Sequence, residues 1–325
     1  MKKNYIFTGD WISGFTQSDG SFVVSFLKQQ KGVPIRPQPV FNITQSIVEL
    51  EMFKALHKHL GIGKIYTNRK NVVFVVKSYR WNSRRNITFI WKTSCKGWKF
   101  LAYTIFKEVS LMIKEKKHLT IEGTLQILNL AYLMNKDTSL RNEESLKLLH
   151  SKLNLKSNIS NSASIGKQTK QTKQTKRASL ELLEFVRGVV DGDGSFNISF
   201  ATTRKRIVAN FTVVTEISSI SILNQLVDFF KCGTVYKLPS AAARYQVQSI
   251  DDILEKILPI FINTKFNTKK QERFEIVIKV CRLIKNSGYA NDADLKSIVE
   301  LAWDMNTSRR KLSKEEYLNK FIKTN

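Results

Sequence analysis

Apolar and polar residues alternate with period two in two widely separated stretches. Phe22, Val24 and Phe26 are interleaved with Val23, Ser25 and Leu27, and Phe196, Ile198 and Phe200 with Asn197, Ser199 and Ala201. Successive side chains of a strand point to opposite faces, so this spacing predicts strands with one buried face. A second strand follows each, with Phe41 and Ile43 inward in one and Phe211 and Val213 in the other. The period then changes: VELEMFKALHKHLGIG (48–63) and ISILNQLVDFFKCG (220–233) predict amphipathic helices stopped by glycine. Strand pairs around residues 64–78 and 234–249 complete each sheet, and lysine-rich helices follow.

These stretches are copies of one pattern. GFTQSDGSF at 14–22 returns as GVVDGDGSF at 188–196, 174 positions later. FNITQ at Phe41 returns as FTVVT at Phe211, and GKIY at Gly63 as GTVY at Gly233, both at an offset of 170. Ser78 answers Ser249, Lys99 answers Lys270, and LNLAYLMN ending at Asn135 answers VELAWDMN ending at Asn306, all at 171. A repeat of this extent predicts a duplicated α+β fold, two pseudo-symmetric α-β-β-α-β-β-α halves, each with a curved antiparallel sheet. The N-terminal half covers 1–150, a polar basic linker with the run KQTKQTKQTK covers 151–178, and the C-terminal half covers 179–325. Sheets with helices on one face leave the other face open, as a saddle whose size suits duplex DNA.

Charge sharpens that expectation. The 325 residues include 53 Lys and Arg against 27 Asp and Glu, a formal charge of +26, while 42% hydrophobic residues indicate a packed body. Such an excess favours a polyanionic partner over a small neutral substrate, because each phosphate neutralised releases counterions. Cys95, Cys232 and Cys281 have no CxxC spacing and suggest neither a zinc ribbon nor a disulfide framework. His57 and His59, two apart on a predicted helix, make a poor metal pair. No apolar run reaches the roughly 18 residues of a membrane span, and MKKNYIFTGDW has no signal or transit pattern.

The repeated word carries the candidate chemistry. Gly14 and Ser18, like Gly188 and Gly192, lie four apart, a small-residue spacing that suits close helix packing. Asp19 and Asp193 then precede a glycine, which is expected to take the positive φ of a helix stop. A carboxylate at a helix C-terminus is disfavoured by the helix dipole, so two such acids call for a cation, and a divalent metal with hard oxygen ligands is the natural occupant. DGDGS also opens like a calcium loop, but the required sixth Gly and twelfth Glu are Phe196 and Thr202 here.

ISGFTQSDG (12–20) and VRGVVDGDG (186–194) resemble the two motifs of a monomeric LAGLIDADG homing endonuclease of the organellar group I intron type. KGWKFLAY around Lys99, TKKQERF around Lys270, KKHLTIEG at 116–123 and MNTSRRKLSKEEYL near the C-terminus add to the likeness, which covers most of the chain. The resemblance implies motif helices packed at the centre and Mg²⁺-dependent hydrolysis of both strands of a long DNA target, with Mn²⁺ or Ca²⁺ as possible substitutes in binding. It makes Asp19 and Asp193 the metal ligands and Lys99 and Lys270 the basic residues at the phosphate, Lys269 being the neighbouring alternative to Lys270. Gln45 matches a residue that orders water, and its counterpart is Thr215, which implies unequal cutting of the two strands. The first motif departs from the second at Gln17, where Asp191 stands, and has Ser13 where a small apolar residue is usual. The same resemblance leaves open an RNA maturase acting on the protein's own intron, alone or in addition. Pseudo-twofold symmetry within one chain predicts a monomer, the lack of a long apolar run predicts no membrane association, and the abundance of Lys, Asn, Ile and Phe fits an AT-rich organellar gene, in a mitochondrion before a chloroplast.

Alternation on the strands nominates Ser25, Gln38, Asn42, Val75 and Lys77 in the first half as readers of base edges. In the second it nominates Asn197, Ser199, Thr203, Asn210, Thr212, Arg244, Gln246 and Gln248. The sets differ, which predicts an asymmetric site. Lys28, Lys31, Arg204, Lys205 and Arg206 in loops are suited to phosphates. A saddle with many phosphate contacts predicts a log–log slope of affinity against salt of several units. Titration of a fluorescent duplex between low and physiological salt measures that slope, and a flat response would contradict the saddle.

Overall fold

The computed structural model describes residues 4–28, 31, 33, 35–77, 98–134, 143–153, 176–201, 206–288, 292–303, 305 and 313–322. Cys95, Ser78, Thr203, Arg204, Lys205 and the greater part of the expected linker lie outside the described residues. The chain divides into two compact units, Thr8–Glu184 and a second made of Met1–Phe7 with Phe185–Asn325.

In the first unit, helix α1 (Gly9–Asp19) begins at Thr8, whose Oγ1 accepts from the Trp11 N–H at 3.1 Å. It runs straight into strand β1 (Gly20–Lys28). Gly20 is not in the left-handed region expected of a helix stop: its φ is −83° and ψ 154°, ordinary extended backbone. Glycine is required there for a different reason. A Cβ would lie 2.7 Å from the Thr16 carbonyl oxygen and 2.9 Å from its Cα, so only a residue without a side chain fits against the last helical turn. Gly194 repeats this, a Cβ there falling 2.7 Å from Val190 Cγ1.

Strands β1, β2 (Ile35–Ser46), β3 (Lys64–Thr67) and β4 (Asn71–Lys77) form an antiparallel sheet in the order β1-β2-β4-β3. Register pairs Gly20 with Ile43, Phe22 with Phe41 and Phe41 with Val76, so one pleat face carries the apolar set. Against it pack helix α2 (Leu50–Leu60) and helix α3 (Trp98–Lys114), with Phe22, Phe41 and Phe106 in ring contact at 5.2 to 5.3 Å. Helices α4 (Ile121–Tyr132) and α5 (Glu143–Lys152) add Leu128 and, just past α5, Leu153 to a cluster with Ile35. Gly61 closes α2 at φ 65°, as the glycine stop predicts, and the His57 ring reaches back to the Gly63 carbonyl at 3.1 Å.

The second unit holds the repeat. Helix α6 (Lys176–Asp193), whose end from Phe185 belongs here, leads into β5 (Gly194–Ala201), β6 (Arg206–Glu216), β7 (Thr234–Leu238) and β8 (Ala242–Val247), in the order β5-β6-β8-β7. Helix α7 (Ile220–Phe230) stops on Lys231 at φ 56°, two residues before the glycine expected to end it. Gly233 at φ 83° lies instead against the Tyr245 ring. Phe196, Phe211, Phe266 and Phe274 form the core under helix α8 (Lys270–Ser287), followed by α9 (Asp292–Ala302) and α10 (Lys314–Ile322). The N-terminal segment is tied to this unit: the Ile6 N–H donates to Asn267 Oδ1 at 3.0 Å, and the Ile6 carbonyl accepts from Asn267 Nδ2 and Arg187 Nη2.

One buried acid fixes the entry to α8. Asp191 is fully buried, and its carboxylate accepts from the main-chain N–H groups of Asn267 and Thr268, each at 3.0 Å, and from Thr268 Oγ1 at 2.7 Å. A carboxylate offers acceptors only, which matches three donors. Asp191→Asn keeps the shape but turns an amide N–H toward a donor, and is expected to cost about 3 kcal/mol. Urea unfolding of both proteins measures this, and an unchanged midpoint would contradict it.

Candidate active site

The last carbonyls of a helix lack intrahelical partners and form its negative end. Helices α1 and α6 both place an acid there, Asp19 and Asp193. In each unit a lysine of the chain also reaches the carbonyls of that helix end. Lys99, in the first turn of α3 and only 7% exposed, donates from Nζ to the Thr16 carbonyl at 3.1 Å and the Ser18 carbonyl at 2.8 Å. Lys270, at the start of α8, donates to the carbonyls of Val190 at 3.2 Å, Asp191 at 2.7 Å and Gly192. The Thr16 carbonyl accepts from the Gly20 N–H as well, so the Lys99 ammonium adds to the main-chain bonding of the last turn there. Lys269 goes elsewhere: its exposed side chain pairs with Glu272 at 3.1 Å. Of the two neighbouring lysines, it is Lys270 that reaches the end of the motif helix.

Gln45 joins the acid in the first unit. Register sets it two residues beyond Ile43, the partner of Gly20, and its Nε2 donates to Asp19 Oδ2 at 2.6 Å. The same position in the second unit, two residues beyond Val213, carries the shorter Thr215. The acids, lysines and glutamine singled out from sequence therefore converge on two helix ends, with different neighbours.

Cross-strand register also sorts the nominated readers. Ser25 faces Gln38 and Asn42 faces Val75, while Lys77 lies opposite Val40, all on the pleat face away from the buried phenylalanines. In the second sheet Asn197 faces Asn210 and Thr212 faces Gln246, with Arg244 opposite Val214, again on one face. Ser199 follows Asn197 on that face, and Gln248 follows Gln246. Asn210 and Thr212 are nonetheless buried, at 6% and 9% exposure.

No group of three or more His, Cys, Asp or Glu able to hold a metal exists among the described residues. The donors on offer are one carboxylate per helix end, with oxygen-rich surroundings of carbonyl and amide. That is too few for a zinc or calcium cage, and it fits a small hard cation that keeps water and takes phosphate oxygens as its remaining ligands. Cysteine chemistry is remote: Cys232 and Cys281 are buried, and burial pushes the Cys281 thiol up to about 12. Two residues have roles that the spacing did not reveal. Asp191 holds the turn before Lys270, and Arg187, 2% exposed, joins the Lys265 and Ile6 carbonyls. The one sequence signal for Asp191 was its departure from Gln17.

Among the described residues no helix is long and apolar enough to cross a membrane. A probable intron-encoded DNA endonuclease 1 of Mycosarcoma maydis is 38% identical over 267 residues, covering 82% of this chain and 96% of that protein. A probable intron-encoded endonuclease 2 of Neurospora crassa is 25% identical over 90% of this chain and 63% of its own length. Among solved structures, the LAGLIDADG homing endonuclease I-GzeII in complex with its DNA target superposes with a TM-score of 0.78 at 23% identity, covering 94% of this chain and all of that one. I-SmaMI bound to uncleaved DNA in the presence of calcium ions gives 0.79 at 21%, covering 93% and 99%. The LAGLIDADG endonuclease family matches twice, over residues 12–110 and 186–281, which takes in both copies of the repeated word, so the chain belongs to the LAGLIDADG endonuclease family.

Proposed function

We propose that the protein is a site-specific double-strand DNA endonuclease with one acid–lysine centre in each half, Asp19 with Lys99 and Asp193 with Lys270. The observation that carries this is the repeated geometry: in both units a lysine amine is hydrogen-bonded to the carbonyls at the end of the helix that bears the acid. Asp19 and Asp193 would each hold a divalent cation of the Mg²⁺ type. Such a cation, when bound, lowers the pKa of coordinated water and offsets charge on the phosphate. The name of the Mycosarcoma maydis relative and the DNA target bound to I-GzeII support the DNA reading, and the calcium ions with I-SmaMI support a divalent cation.

The chain's own groups have separable tasks in this reading. Each ammonium fixes positive charge beside its acid, and exchanges one helix carbonyl for a phosphodiester oxygen when substrate arrives, so that it opposes the negative charge of the pentavalent phosphorus. Gln45 Nε2 holds one oxygen of Asp19 and orients that carboxylate, and its amide also serves to align water. Thr215 offers only a hydroxyl on a shorter arm, so the two strands are cut at different rates. Ser25, Gln38, Asn42, Val75 and Lys77 on one sheet and Asn197, Ser199, Thr212, Arg244, Gln246 and Gln248 on the other form two unlike reading faces, hence a long asymmetric target. The intron-encoded relatives, with a cox1 intron protein of Schizosaccharomyces pombe among them, favour a mitochondrial setting.

The test is linearisation of a supercoiled plasmid carrying the target, with Mg²⁺ or EDTA. Linear product is expected only with Mg²⁺, and Asp19→Asn or Asp193→Asn should each lower its rate on the order of a hundredfold or more. Cutting that persists in EDTA, or in both variants, would overturn the reading.

A further inference from the structure

A hydrogen-bonded network on the second sheet goes beyond the nomination of its members as readers. Asn210 is 6% exposed on β6 and uses every polar atom it has. Its Nδ2 donates to the Val208 carbonyl at 3.2 Å and to Ser199 Oγ at 3.3 Å. Its Oδ1 accepts from Gln246 Nε2 at 3.1 Å and from Gln248 Nε2 at 2.7 Å. An amide has two donor hydrogens and two acceptor lone pairs, so this side chain is saturated.

The direction of the network follows from one atom. Amide nitrogen and oxygen are easily exchanged when a side chain is oriented, and only an unambiguous partner decides between them. The Val208 carbonyl is such a partner, because it accepts and never donates. Asn210 must therefore turn Nδ2 to it and Oδ1 to the glutamines. Oδ1 accepts only, so each glutamine must in turn give it an Nε2 hydrogen. Each glutamine carbonyl, Oε1, then lies at the end of the amide away from Asn210, beside one remaining Nε2 hydrogen. The flipped glutamine, which would offer two donors outward, is excluded because it would set oxygen against oxygen.

This fixed order of groups has a chemical preference. Adenine shows an amino donor at N6 and an acceptor at N7 on its major-groove edge, which pairs with Oε1 and the free Nε2 hydrogen together. Guanine shows acceptors at both O6 and N7, and thymine shows an acceptor at O4, so both set oxygen against Oε1, while cytosine offers Oε1 its N4 amino donor but no acceptor for the Nε2 hydrogen. The two glutamines sit two residues apart on one face of β8 and its continuation, and a strand advances about 3.3 Å per residue, so they meet base pairs one or two steps apart. The first half has no counterpart: the positions equivalent to Asn210, Gln246 and Gln248 are Val40, Val75 and Lys77.

Resting on the DNA endonuclease reading, we propose that Asn210 is a positioning residue that locks Gln246 and Gln248 as paired readers of adenine, and that it sets specificity without itself touching a base. The test is selection of bound duplexes from a random library by the full chain under calcium, the ion present with the uncleaved target of I-SmaMI. Wild type should select adenine at two positions one or two steps apart, and guanine at either should weaken binding about tenfold or more. Gln246→Met and Gln248→Met should each erase the preference at one of the two. Asn210→Ala should relax both toward guanine and thymine while the rest of the selected sequence is unchanged, a pattern that general loss of stability would not produce. If Asn210→Ala does not fold, as judged by circular dichroism, the two methionine variants carry the test. Selection of guanine or thymine at the positions that the methionine variants identify, or an adenine preference that survives Asn210→Ala, would overturn the proposal. Failure of wild type to bind or select any duplex would instead overturn the DNA reading beneath it.

Discussion

A helix that turns into a strand within one residue leaves no room for a side chain at the junction. Gly20 and Gly194 meet this constraint with extended backbone pressed against the Thr16 and Val190 turns, and everything at the candidate site is referred to it. Because no loop intervenes, the acid that ends each helix is held at a set distance from the first strand. The strand partner then brings Gln45 to Asp19, and the helix that packs under the sheet brings a lysine to the carbonyls of that helix end. Any residue larger than glycine would push strand and helix apart and loosen all of these contacts together.

A lysine buried against carbonyls is costly in isolation and acceptable here, because the helix end is itself a region of negative potential. The same potential disfavours the acid that ends each helix, and the nearby ammonium lessens it. The helix end is built differently in the two units: Asp191 braces the turn before Lys270 with three accepted hydrogen bonds, whereas the first motif has Gln17, and Thr215 replaces Gln45. Asymmetry extends to the sheets, where a saturated amide network in one unit corresponds to Val40, Val75 and Lys77 in the other.

Much of this was legible beforehand, because period-two strands, amphipathic helices and a repeat at offsets of 170 to 174 leave few alternatives. Both four-stranded sheets follow that pattern. The function of Gly20 was misread, since a glycine after a helix reads as a left-handed stop, and only three-dimensional crowding shows that the missing Cβ matters instead of the sign of φ. The stop of α7 was misread for the converse reason: Lys231 takes the left-handed conformation that its neighbour Gly233 seemed placed for. The hydrogen-bonding roles of Asp191 and Asn210 could not be assigned from spacing, although alternation nominated Asn210 as a reader, because their partners lie 76 and 36 residues away and include main-chain groups, which carry no sequence signature. That Lys270 and not Lys269 reaches the carbonyls at the helix end likewise needed the direction of the side chains at the start of α8.

The central claim is that each half carries a self-contained centre, its lysine serving only the acid of its own motif. Strand-resolved cleavage of an end-labelled duplex by Lys99→Met and Lys270→Met tests it most directly. The account predicts that each variant slows one strand far more than the other, that the two variants affect opposite strands, and that nicked duplex accumulates. Equal slowing of both strands by either variant, or full activity in both, would contradict it.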